Sequence, residues 1–151
     1  MVMKKLSKFL MAFMSIVVFT SMGVNAQSVS DLQAVIDNAQ SVTRADDVDE
    51  INLSPYSGLE FDGTLYIRKG QRKRFTNGTL KSKSSYSGPL VTVESGGYLE
   101  LPSGVILKGA DGVVTENGLV NVTGGELLIS GAEIREGNSD VSTNCLQARI
   151  L

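Results

Sequence analysis

Arg68, Lys69, Arg72, Lys73, Arg74, Lys81 and Lys83 crowd one stretch that contains no carboxylate. A run of this kind suits an anion, because a guanidinium takes a carboxylate in a two-point fork and an ammonium acts as a point charge. Lys108 and Arg135 belong with it, since each follows a repeated apolar residue as Lys81 does. The chemistry expected of Arg68, Lys69, Arg72, Lys73, Arg74, Lys81, Lys108 and Arg135 is therefore the binding of an acidic polysaccharide. A plainer use competes with it. Charged outer faces keep strand edges from pairing with other chains, and each exposed pair in them contributes only about 0–1 kcal/mol.

Little else in the chain is equipped for chemistry. It has no His, which removes the commonest general base and metal ligand, and its one cysteine, Cys145, lies in no nucleophile motif. A lone thiol of this kind either pairs between molecules or stays free. Carboxylates gather at Asp46, Asp47, Asp49 and Glu50, at Asp111 and Glu116, and at Glu133, Glu136 and Asp140. The first group lacks the glycine and spacing of a calcium loop, and none supplies the matched pair of a glycosidase. The sequence thus predicts no catalytic residue, no metal and no cofactor.

The elements that must position these residues announce themselves as a repeat. Residues 90–109 read LVTVESGGYLELPSGVILKG and residues 119–137 read LVNVTGGELLISGAEIREG, with a fainter copy in TLYIRKGQRKRFTNGTLKS. Val91, Val93, Leu99, Leu101 and Leu107 match Val120, Val122, Leu127, Ile129 and Ile134. Upstream, Leu65 and Ile67 match Val91 and Val93, Phe75 matches Leu101, Gly78 matches Gly104, and Leu80 matches Leu107. The period of about 26–29 residues indicates a solenoid. Within each copy the apolar residues alternate, as in a strand with one buried face, and glycines stand at the corners between the runs. An antiparallel sandwich also alternates, but it has no reason to repeat its own sequence.

The prediction is an all-β chain: a right-handed single-stranded parallel β-helix of about three coils at residues 51–137. Stacking the copies places Lys81, Lys108 and Arg135 in a cationic ladder. It also sets Arg68 below Glu94, Arg74 below Glu100, and Tyr66, Thr92 and Asn121 in a polar column. Ahead of the coils, Leu32, Val35, Ile36 and Ala39 fall on one helical face, and Ser30 with Gln33 resembles a capping box. Residues 27–50 are thus expected to form a capping helix over about 29–40 and a solvated acidic loop, with a first strand at Ile51 and Leu53.

The first 26 residues carry Lys4, Lys5 and Lys8, then an apolar stretch from Phe9 to Val18, then Val24-Asn25-Ala26. This is the pattern of a signal peptide cleaved before Gln27, too short in its apolar part to span a membrane. Export to the periplasm, the cell surface or the medium follows as the expected localisation. The remaining residues carry an excess of acid, so bulk charge excludes nucleic acid as a partner. With no possible internal disulfide, packing alone must hold the domain.

The stretch GPLVTVESGGYLELPSGVILKG followed by GLVNVTGGELLISGAEIREG resembles the secreted parallel β-helix proteins of the pectin-lyase-like superfamily, nearest its adhesin-like surface members. The resemblance covers residues 50–137. It implies a non-catalytic surface or adhesion module that contacts glycans, or alternatively a polysaccharide lyase or hydrolase, or a shortened relic of one. Residues 138–151 break the alternation and are expected to be a tail, at which the stack is unfinished or depends on a partner; residues 145–151 could fold over as a small lid, but one or two turns are marginal alone. Without a lid the stack ends on Leu127, Ile129 and Ile134 uncovered, which implies self-association through that open coil or a reading frame shortened from a longer adhesin-like parent.

Overall fold

A computed structural model describes residues 28–39, 47–135 and 146–149. Residues 1–26, expected to be a signal peptide, and Cys145 lie outside them. Helix α1, Val29–Asn38, opens on Ser28, whose hydroxyl accepts from the Asp31 N–H while the Asp31 carboxylate accepts from the Ser28 N–H. The capping box is therefore Ser28 with Asp31, one turn-start earlier than Ser30 with Gln33. An acid at this position also meets the positive end of the helix dipole. Leu32 and Ile36 on one face are wholly buried, which contributes about 1.5–3 kcal/mol for each.

Twelve strands follow among the described residues. They are β1 Asp49–Asn52, β2 Glu60–Phe61, β3 Leu65–Ile67, β4 Arg72–Thr76, β5 Gly78–Ser82 and β6 Val91–Glu94. Then come β7 Tyr98–Pro102, β8 Val105–Lys108, β9 Val120–Thr123, β10 Glu126–Ser130, β11 Glu133–Arg135 and β12 Leu146–Arg149. They form three sheets in the orders β1-β4-β7-β10, β2-β5-β8-β11 and β3-β6-β9-β12, with all named strand pairs parallel. The chain visits the sheets in turn and returns to the first one three times, a parallel β-solenoid of about three turns.

Register follows the repeat. Leu65, Val91 and Val120 stack, as do Ile67, Val93 and Val122, and Leu80, Leu107 and Ile134. One repeat assignment shifts by a residue, because Gly78 faces Val105 rather than Gly104. The inward columns merge with Leu32 and Ile36 into one core. Leu99, Leu101 and Leu107 have no exposure, whereas Leu127, Ile129 and Ile134, expected in the same core, are only half-buried. The reason is positional: among the described residues, no strand lies beyond β10 and β11 in their sheets.

Three details depart from the sequence reading. The first strand begins at Asp49 and ends at Asn52, so Asp49 and Glu50 belong to it rather than to the acidic loop. Leu53 is buried but leaves the strand for a 3-10 turn, Ser54–Tyr56, that contains Pro55. Residues 146–149 form a strand in register with β9, Leu146 opposite Val120, and not a lid. At the corner before β7 and β10 the coils touch so closely that a Cβ on Gly97 would lie 2.6 Å from the Ile67 carbonyl oxygen, and one on Gly125 would lie 2.4 Å from that of Glu94.

The helix caps the first coil as an amphipathic segment should. Its apolar face covers the open end, and its Gln33 side chain treats β3 as a neighbouring strand would. The Gln33 amide donates to the Tyr66 carbonyl at 3.0 Å and accepts from the Tyr66 N–H at 2.7 Å. A strand edge that could template another chain is thereby closed at its middle residue.

Candidate functional site

The basic stretch is spread over the corner before β4, over β4 itself and over β5, and the alternation of the strand splits it. Arg72 and Arg74 point outward, while Lys73 points inward and is 2% exposed. Lys73 stands in register with Leu99, one coil further on. A cation expected on the ligand-facing surface is thus a core residue. Its ammonium donates to the carbonyl of Ala39, the residue that ends α1, and to Asp49 Oδ2 at 2.6 Å. Buried ammonium groups need this kind of double partnering.

The remaining cations meet the carboxylates of the first coil, position by position. Glu50 is opposite Arg74 and pairs with it at 3.2 Å, and Glu60 is opposite Lys81 at 2.6 Å. Asp49 is opposite Lys73, and Asp62 reaches Lys83 at 3.6 Å. An acidic first coil and a basic second coil therefore close on one another through successive ion pairs. Sequence reasoning missed this because the first coil was aligned only from Leu65. Setting Ile51 on Phe75, the observed register, brings Asp49-Glu50 onto Lys73-Arg74.

Arg74 bridges onward to Glu100 at 2.8 Å, so Glu50, Arg74 and Glu100 form an outward column of alternating sign. Hydrogen bonding to Glu100, then to Glu50, raises the Arg74 guanidinium above its ordinary value, and hydrogen bonding to Glu60 raises Lys81 likewise. Lys81, Lys108 and Arg135 stack as the ladder predicts. Each rung has its own acid: Glu60, Asp111 at 3.7 Å, and Glu133. Arg68 lies one coil below Glu94 but pairs with Asp37 of α1 at 2.5 Å instead. Burial raises the Asp37 carboxyl, yet hydrogen bonds from Gln71, Arg68 and Gln33 outweigh it and hold the group below its ordinary 3.8. Tyr66, Thr92 and Asn121 form their column, extended by the backbone of Gln147.

Two of the expected ligand-binding cations remain without a carboxylate among the described residues, Lys69 and Arg72. Lys69 lies within, and Arg72 directly follows, a turn closed by the Gln71 N–H donating to the Arg68 carbonyl at 3.0 Å. Arg72 lies over the Tyr98 ring at 4.2 Å, and its buried Nε has no hydrogen-bond partner. Stacking of this kind fixes a guanidinium plane while leaving its outer fork available. Lys69 is exposed and runs over Gly96, where any side chain would crowd it. This corner can receive a carboxylate. Glu126, in register with Tyr98 one coil further on, is exposed.

The acidic clusters resolve differently. Asp49 and Glu50 are engaged by Lys73 and Arg74, Asp111 by Lys108, and Glu133 by Arg135. Asp46, Glu136 and Asp140 lie outside the described residues. Among the described residues, no group of three or more His, Cys, Asp or Glu side chains could hold a metal ion, and no helix is long and apolar enough to cross a membrane. No family model matches the chain, and no curated protein and no solved structure matches it; the fold rests on its own register, a parallel β-solenoid of about three turns.

Proposed function

We propose that the chain is an exported, non-catalytic β-solenoid module of the pectin-lyase-like kind, acting at a surface by contact with an anionic glycan. One observation carries the reading. Every other described cation whose side chain is placed has a carboxylate partner, whereas Lys69 and Arg72 share a corner, unpaired, with the Arg72 guanidinium held on Tyr98. The broad basic surface expected from the sequence shrinks to that corner, and the rest of the charge serves the fold.

The test compares retention of the wild-type chain and of a Lys69→Ala/Arg72→Gln variant on uronate-rich and neutral polysaccharide gels. Salt-sensitive retention on the uronate gel that the variant loses supports the reading. Retention that the variant keeps removes the corner from it. Release of unsaturated or shortened sugars from the same polysaccharides, with or without calcium, overturns the non-catalytic reading in favour of a carbohydrate-active enzyme.

A further inference from the structure

Two Asn-Gly steps lie at turns of the described chain, Asn77-Gly78 between β4 and β5 and Asn117-Gly118 in the loop before β9. In both the asparagine has a positive φ, 45° and 63° respectively. Asn-Gly is the step at which a main-chain nitrogen can turn on the preceding side chain, because glycine places no Cβ in the way. We propose that Asn117 is a site of spontaneous covalent modification, conversion to aspartate and isoaspartate, while the fold protects Asn77 from the same reaction.

The chemistry needs only water. The Gly118 nitrogen gives up its proton to solvent and bonds to Cγ of Asn117. The side-chain amide takes a proton from solvent and leaves as ammonia, which closes a five-membered imide. Water then adds across one of the two carbonyl–nitrogen bonds of that ring. Opening on one side gives aspartate, and opening on the other gives isoaspartate with the main chain routed through the former side chain. One water is consumed and one ammonia released, with no change of oxidation state.

What separates the two sites is the freedom of the attacking nitrogen. The Gly78 N–H donates to the Gly104 carbonyl at 3.0 Å, and the Asn77 carbonyl accepts from the Ser54 hydroxyl at 2.7 Å. A Cβ on Gly78 would lie 2.7 Å from the Leu53 carbonyl carbon, so the peptide plane between them is packed as well as bonded. Cyclisation there requires breaking both bonds and moving the first coil away. At Asn117, by contrast, the Gly118 N–H reaches only the Thr115 carbonyl at 3.4 Å, at the weak limit of a hydrogen bond. Asn117 is exposed, and its neighbours Val114 and Glu116 are exposed too. Openings of such a loop are cheap compared with openings of a ladder.

The two products differ in consequence. Aspartate adds a negative charge to a loop that already holds Asp111 and Glu116. Isoaspartate adds a main-chain atom just ahead of Leu119, whose side chain is fully buried and whose carbonyl accepts from the Leu90 and Val91 N–H groups at 2.9 and 3.1 Å. That product pulls on the entry to β9, so it marks aged molecules by shape as well as by charge.

The experiment incubates the folded full chain at mildly alkaline pH, with a urea-unfolded sample as the reference. Digestion and peptide mass spectrometry follow the amide-to-acid conversion at each asparagine, and fragmentation distinguishes isoaspartate. In urea the two sites react at comparable rates. In the folded chain Asn117 stays within a few-fold of its unfolded rate, while Asn77 slows on the order of tenfold or more, as loss of ladder bonding before reaction demands. Amide hydrogen exchange, which does not depend on the chemistry, shows Gly118 exchanging faster than Gly78. An Asn117→Gln variant loses the major acidic species on ageing. Equal rates at the two sites in the folded chain, or Asn117 slowed as much as Asn77, overturns the proposal.

Discussion

Replacing Lys73 separates the two roles of that side chain, its stem in the core and its ammonium on the cap. The side chain is 2% exposed, and Asp49, its acidic partner, is 17% exposed. Lys73→Met keeps a stem of similar length in the column that continues through Leu99 and Leu127, but it strands the Asp49 carboxylate and the Ala39 carbonyl. Breaking a buried pair by removing one partner costs about 3–5 kcal/mol. Partial exposure of Asp49 puts the expected loss near the lower end, about 3 kcal/mol. Removing the carboxylate as well, in Lys73→Met/Asp49→Leu, replaces the pair by apolar groups, and stability returns to within about 1–2 kcal/mol of wild type. Urea unfolding reads both values from the shift in midpoint at constant slope. In the double variant the amides of α1 exchange faster although the global stability is nearly restored, because the tie to Ala39 is gone. A single variant that costs less than about 1 kcal/mol would mean that water already reaches the ammonium, and the reasoning from burial would fail.

Reversing one outward pair tests the ionic match of the first two coils: Lys81→Glu opposite Glu60 lowers the urea midpoint, and the swap Glu60→Lys/Lys81→Glu regains at least half of that shift in a double-mutant cycle. Equal losses in the single and swapped chains would refute the match. Asp37 has a depressed folded value, so its contribution is complete above the ordinary 3.8 and is lost as pH falls through the lower folded value. Stability curves of wild type and Asp37→Asn should therefore converge in acid and separate above that window. Gln33→Ala removes both hydrogen bonds to Tyr66 and costs about 1–2 kcal/mol. Hydrogen exchange at the Tyr66 amide rises with it, and an unchanged rate there would show that the edge is protected by something else.

Much of the fold could be read because the coils repeat their inward residues. Val91 and Val93 are copied as Val120 and Val122, and the copies became stacked neighbours in register. The ladder of Lys81, Lys108 and Arg135 was legible for the same reason. The first coil was not, because it repeats the shape of the others without their residues. Asp49 and Glu50 looked like part of a solvated acidic loop, and Lys73 looked like one more surface cation. Only the alternation of β4, counted from Phe75, turns Lys73 inward. The site suffered accordingly: a row of cations reads as a ligand surface until the acids that answer it are found, and those acids lie 21 to 24 residues earlier in the chain. The partner of Arg68 was beyond reach of any repeat, since Asp37 is on the helix.

The separations between stacked partners have a bearing on the order in which the molecule is built. Glu60 and Lys81 are 21 residues apart, Asp49 and Lys73 are 24 apart, and Arg74 and Glu100 are 26 apart. Loop-closure cost changes slowly with length, so each new coil faces nearly the same entropic barrier as the one before it. The interfaces are not equal in attraction, however: the first brings a row of acids onto a row of cations, while later ones are mainly apolar. Folding of stacked coils can start at any interface and propagate to the next, and the first interface here offers opposite charges as well as an apolar core. A polypeptide delivered N-terminus first presents the acids of that interface before the cations that answer them.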